Sequence, residues 1–154
     1  MENDFRYHQS SITGLLYSFN GSSLVSCDAD GDLCLSDADQ KYKLQKCIGN
    51  ALKPMDQGPI PLSMSSDGKY IVYIGPTEFI VTIVETITLN QILRIDISTC
   101  TYITDDQRTL TSSEAGLFTR FTSDRYLLVA TKSLKLLKFD SYSGKLLNIV
   151  RLFG

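Results

Sequence analysis

Residues 8–39 read HQSSITGLLYSFNGSSLVSCDADGDLCLSDAD. Two alternating apolar runs, Ile12–Tyr17 and Leu24–Cys27, flank the turn sequence Ser18-Phe19-Asn20-Gly21. Asp28-Ala29-Asp30-Gly31 makes a second tight turn, and Leu33-Cys34-Leu35 opens a third run. Asn and Gly tolerate the positive φ that tight hairpin turns require, so the stretch predicts strand, turn, strand, turn, strand: an antiparallel meander. Gln40–Ile48, with Tyr42, Leu44 and Ile48 as its apolar positions, supplies a fourth strand for the same unit.

The pattern recurs downstream. Pro54, Gly58 and Pro61 punctuate a loop after the first unit. Leu62-Ser63-Met64 then leads into Ser65-Ser66-Asp67-Gly68, another turn. Strands are expected over Lys69–Ile74, Phe79–Val84 and Ile92–Ile97, with Gly75-Pro76 as a turn or bulge between the first two. A helix across Glu78–Ile95 is the rival reading. It is rejected because Ile, Val and Thr dominate Ile80–Thr88, and these residues favour strands. Cys100–Ser113, polar and irregular with Asp105-Asp106 and Ser112-Ser113, reads as an inserted loop. A third round runs through Phe118–Phe121, the turn Thr122-Ser123-Asp124-Arg125, Leu127–Thr131, Leu134–Phe139, the turn Ser141-Tyr142-Ser143-Gly144, and Leu146–Leu152. Equivalent turns recur at intervals of roughly 50 residues, long enough for four-stranded units with loop insertions.

Composition narrows the function classes. The chain has 154 residues, 43% hydrophobic and 21% charged, which is enough to build a packed core. The net charge of -2 and pI near 5.3 argue against a general nucleic-acid or anionic-membrane binder. Lys132, Lys135 and Lys138 cluster in sequence, but residues three apart do not share a strand face. The N-terminus lacks an apolar signal region, and the apolar runs are too short to span a bilayer, so a cytoplasmic protein is expected. Cys27, Cys34, Cys47 and Cys100 form no CxxC pair and read as reduced core thiols.

The order of these elements resembles the WD-repeat family of β-propellers. His8, Ile12, Leu15, Tyr17-Ser18-Phe19-Asn20-Gly21, Ser26, Asp30-Gly31 and Asp37 fall on that family's repeating positions without a gap. Met64-Ser65-Ser66-Asp67-Gly68 and Val84-Glu85 repeat part of the pattern, as do Phe139-Asp140 and Ser143-Gly144-Lys145. The chain departs from it in having no Trp: Ser36, Val84 and Phe139 stand at those positions. The family's blade-fixing hydrogen-bond network is then expected only in part, from His8, Ser26 and Asp30. A closer resemblance, to one large member of the family found at the centriole and cilium base, is carried by Ile74-Gly75-Pro76-Thr77, Ile80-Val81-Thr82-Ile83-Val84 and Leu89–Ser98. It implies a scaffold that binds microtubule-wall or centriolar components, tubulin among them.

The candidate sites each carry a plainer reading. Asp28, Asp30, Asp32 and Asp39 imitate a calcium loop, but Leu33 sits where such a loop needs Gly, and Asp39 where it needs Glu. A hairpin turn accounts for them. His8 is the only histidine, and a structural hydrogen bond is expected of it in preference to catalysis. Gly75-Pro76 lacks the glycines and following helix of a phosphate loop. Tyr70, Tyr73, Phe79, Phe118, Phe121, Tyr126 and Phe139 are expected mostly in the core. The sequence therefore predicts an all-β partial propeller of about three four-stranded blades, in units near 8–50, 58–98 and 115–152. No catalytic, cofactor or metal site is expected, and no nucleic-acid or membrane partner. A closed propeller needs about four to eight blades, so either a longer chain, another copy or a partner is expected to complete it. The predicted function is a non-catalytic protein-interaction scaffold. The alternatives are a propeller hydrolase with a channel active site, or a truncated copy without function.

Overall fold

The computed structural model describes residues 7–55, 57–103, 106–122 and 125–151. Each predicted meander forms a four-stranded antiparallel sheet with strands in sequence order. The first holds β1 (Ile12–Tyr17), β2 (Ser23–Asp28), β3 (Leu33–Asp37) and β4 (Lys43–Ile48). The second holds β5 (Ser63–Met64), β6 (Tyr70–Ile74), β7 (Ile80–Glu85) and β8 (Gln91–Asp96). The third holds β11 (Gly116–Phe121), β12 (Tyr126–Thr131), β13 (Lys135–Asp140) and β14 (Leu146–Arg151). The stretch expected to be an irregular loop is instead a small hairpin of β9 (Cys100–Ile103) and β10 (Thr109–Ser112). Thr101, Thr109 and Thr111 are β-branched and favour extended backbone despite their polarity, a signal outweighed in the sequence by Asp105-Asp106 and Ser112-Ser113. Asp105 lies outside the described residues, as do Ser123 and Asp124 of the third predicted turn.

The repeat is visible atom by atom. In the first turn Gly21 N–H donates to Ser18 O, while Ser23 N–H donates to Ser18 Oγ at 3.0 Å. In the second, Gly68 N–H donates to Ser65 O and Tyr70 N–H to Ser65 Oγ, again at 3.0 Å. One Ser-x-Asn/Asp-Gly device thus turns both blades. The serine hydroxyl satisfies a backbone donor and the glycine takes φ near +75°.

The core lies between sheets, not within one. Val25, Cys27, Leu33 and Leu35 of the first blade meet Ile71, Tyr73 and Val84 of the second. The second blade's opposite face, Val72, Ile74, Val81, Ile83 and Ile95, meets Leu127, Val129, Leu137 and Phe139 of the third. The middle blade's inner strands β6 and β7 are therefore buried on both faces, and they read as nearly continuous apolar runs for that reason. The linker Ala51-Leu52-Lys53 threads between blades one and two. Leu52 N–H donates to Gly31 O at 2.8 Å and Lys53 N–H to Ile74 O at 2.9 Å. Gly31 and Gly75 both leave room for it, since a Cβ on either would meet linker backbone within 2.5 Å. The Gly75-Pro76 peptide is cis, and Thr82 Oγ1 donates to Gly75 O.

Candidate functional site

The sole histidine sits where the first blade is stitched together. Its Nδ1 is 2.6 Å from Asp28 Oδ2, and its Nε2 is 2.7 Å from Ser26 Oγ. A carboxylate only accepts, so Nδ1 carries the proton. Asp28 Oδ1 also accepts from the backbone N–H groups of Asp30 and Asp32. The sequence reading placed Asp30 in this network, and the structure replaces it with Asp28. Asp28 ends β2 and points along the strand toward His8, whereas Asp30 is an exposed turn residue. Tyr7 extends the cluster: its hydroxyl lies 2.5 Å from Ser36 Oγ, at the position where the family pattern has Trp.

Ser26, His8 and Asp28 therefore have the connectivity of a hydrolytic triad. Their burial points another way. Ser26 is 0% exposed, Asp28 2% and His8 9%. Ser26 Oγ has no open face toward which a carbonyl substrate could approach, and the cluster fastens the N-terminal segment to β2 and the following turn. Of the other carboxylates in the calcium-like stretch, Asp32 Oδ1 accepts from Asn50 N–H, while Asp30 and Asp39 are exposed. Among the described residues, no three His, Cys, Asp or Glu side chains are grouped to hold a metal ion.

A second polar cluster, which sequence reasoning missed, lies between blades two and three. Glu114 is 2% exposed and bonds Lys135 Nζ at 2.8 Å, with Ser112 and Ser133 hydroxyls donating to the same carboxylate. Burial pushes the Glu114 carboxyl up, but these donors outweigh it and bring its pKa down to about 2. Its contribution to stability is thus complete above the ordinary value of 4.5 and is lost as the pH falls toward 2. Urea unfolding across that window should show a loss of about 2 kcal/mol that Glu114→Gln flattens. An unchanged acid limb in the variant would remove Glu114 from the account. Nothing in the local sequence announces this site, because Ser112, Glu114, Ser133 and Lys135 come from two separated segments.

The cysteines require a correction. Cys34 and Cys47 are disulfide-bonded, whereas all four were expected as thiols. They are direct cross-strand partners on β3 and β4 with Cα atoms 4.2 Å apart, a proximity that their thirteen-residue spacing does not reveal. Cys27 and Cys100 remain buried thiols, each pushed up to about 11 by burial. The aromatics divide as well. Tyr73 and Phe139 are core, while Tyr70, Phe121 and Tyr126 are half-buried and Phe79 and Phe118 exposed. The edge strands of each blade and the rim turns are solvated on one side, which is why fewer of these rings are enclosed than strand packing alone predicts.

Two clefts open on the rim that carries the β1–β2, β5–β6 and β7–β8 turns. One of about 340 Å³ lies between blades one and two, beside Phe19, Glu85 and Ile87. Another of about 220 Å³ lies between blades two and three, beside Ile92, Phe121 and Tyr142. Tyr70 lines both. Phe19 is 83% exposed and Ile87 62%, so this rim offers apolar contact area.

Radially repeated four-stranded sheets, joined face to face and strapped by inter-blade linkers, define an arc of a WD40-type β-propeller. The solved RRP9 WD40 repeats superpose with a TM-score of 0.64 at 17% identity, over 94% of this chain and 39% of that one. The Myceliophteria thermophila Cps50 (Swd1) β-propeller domain gives 0.63 at 13% identity, over 90% and 40%. No family model matches the chain. In sequence it is a homologue of proteins named WD repeat-containing protein 90. It is 34% identical over 148 residues to that of Xenopus tropicalis, covering 95% of this chain, and 28% identical over 142 residues to that of Homo sapiens, covering 91%. The chain spans 8% of the length of each of these relatives. No helix among the described residues is long and apolar enough to cross a membrane.

Proposed function

We propose that this chain is a non-catalytic interaction module, one arc of a scaffold that works at the centriole or cilium base and contacts tubulin or centriolar proteins. The observation that carries the non-catalytic part is the enclosure of Ser26, the one hydroxyl held by a His–carboxylate pair, at 0% exposure. What the surface offers is rim turns held on stacked, rigid sheets, and such a surface suits docking. The centriolar part rests on the resemblance of residues 74–98 to the large WD-repeat protein of that organelle. We take the repeating units to be 8–50, 58–98 and 115–152.

Co-sedimentation tests the reading. The chain should pellet with taxol-stabilised microtubules in a saturable manner and stay in the supernatant without them. Failure to pellet across low and physiological salt would remove tubulin as a partner. Turnover in a broad esterase, phosphatase and peptidase screen would overturn the non-catalytic assignment.

A further inference from the structure

The three blades present one position in three versions, and the comparison identifies a ligand. The carboxylates of Asp37, Glu85 and Asp140 each end the third strand of a blade, paired in register with Ser23, Tyr70 and Tyr126. The residue before the last two partners is Lys69 in blade two and Arg125 in blade three. Matching backbone bonds fix the equivalence: Thr86 N–H donates to Lys69 O, and Ser141 N–H to Arg125 O. In blade three the position is filled from within. Arg125 places Nε and Nη2 at 3.0 and 2.9 Å from Asp140 Oδ2, with its guanidinium carbon 5.2 Å from the centre of the Tyr142 ring.

Blade two is built alike but is left open. Ile87 occupies the place of Tyr142, and no ion pair joins Lys69 to Glu85 among the described residues. Instead the 340 Å³ cleft lies here, walled by Phe19 from blade one, with Glu85, Asp67 and Lys69 among its lining residues. Asp67 is held below the usual carboxylate range, chiefly by the Ser65 hydroxyl, and Glu85 Oε1 accepts from Thr88 Oγ1 at 2.8 Å. The exposed Phe19 ring supplies a π face of the kind that Tyr142 offers Arg125.

We infer that the cleft between Phe19, Glu85 and Ile87 receives an arginine side chain from an extended segment of a partner protein. The guanidinium pairs with Glu85 and lies on Phe19, and an apolar neighbour of the arginine rests on Ile87. This is the Arg125–Asp140–Tyr142 arrangement with the cation supplied in trans. A guanidinium suits it better than an ammonium, being planar, weakly hydrated and able to stack. The inference rests on reading the chain as an interaction module, and the two fail separately: loss of peptide binding removes this cleft while leaving microtubule pelleting untouched.

The probe is the peptide acetyl-Gly-Leu-Arg-Leu-Gly-amide, titrated into the ¹⁵N-labelled full chain and followed by amide NMR. The arginine peptide should move the Gly68 and Ile87 signals with a Kd of about 0.1–1 mM, as expected for a short flexible ligand. Replacing arginine with its neutral isostere citrulline, or Glu85 with Gln, should weaken binding about tenfold, the worth of one charge-assisted contact. Glu85→Gln keeps the acceptor for Thr88, so the fold is preserved. Phe19→Ser, at an exposed position, should also weaken binding with no loss of spectral dispersion. Equal binding of the citrulline peptide, indifference to both substitutions, or no movement of these signals at several-fold higher peptide would overturn the assignment.

Discussion

Gly31→Ala is expected to destabilise the chain by about 3–4 kcal/mol, a large fraction of the total stability of an ordinary domain. Two costs coincide at this residue. Its φ of +92° disfavours any side chain, and a Cβ there would lie 2.1 Å from the carbonyl oxygen of Leu52. That oxygen belongs to backbone, not to the end of a flexible side chain, so relief requires the linker to move. The linker is itself pinned: Leu52 N–H donates to Gly31 O, Lys53 N–H to Ile74 O, and the Leu52 side chain is 2% exposed in the first inter-blade core. Displacing it separates blades one and two. Gly21 is the matched control. Its φ is +75°, but nothing lies within 4 Å of the added Cβ, so Gly21→Ala should cost only about 1 kcal/mol of backbone strain. Urea midpoints at constant m-value measure both. Equal losses at the two positions would show that backbone conformation, not the strap, governs Gly31.

The contrast between these two glycines also marks what the sequence could disclose. Both were legible as turn formers, because a turn announces itself through its own residues. That Gly31 is in addition a contact point for Leu52, twenty-one residues on, is a fact of blade stacking and left no local trace. The same division runs through the fold. Residues 12–17 and 24–27 carry apolar residues at strand-like spacing, so the strand boundaries followed directly, whereas the burial of nearly all of β2 showed only once the sheets were stacked. The strands of the β9–β10 hairpin are short and polar, so it read as a loop. Cys34 and Cys47 were invisible as a pair until the register of β3 against β4 was known. Glu114 and Lys135 were likewise joined only by tertiary structure. In the rim cleft, Glu85 was legible as the end of a repeat. Its open state appeared only when the blade-three equivalent was seen to carry its own arginine.

Asp28→Ala should be as damaging as the glycine change, about 3–5 kcal/mol, because it leaves the buried His8 ring and the Asp32 amide without their acceptor. Asp30→Ala, two residues away, should stay within about 0.5 kcal/mol, since its side chain is exposed. The pair separates the network seen in the structure from the one the repeat pattern suggested, in which Asp30 was the partner of His8. Ser26→Ala adds the chemical test. If the cluster is a fastening, removing the hydroxyl costs about 1 kcal/mol for one buried hydrogen bond and leaves ester turnover at the buffer rate in both proteins. If Ser26 were a nucleophile, wild type would hydrolyse p-nitrophenyl acetate above buffer and the variant would not. The geometry at His8 is shared by the two readings, so distance cannot decide between them. Access decides: a nucleophile must be reached, while a fastening works best when it is enclosed, and Ser26 is enclosed by the blade whose first strands it holds in place.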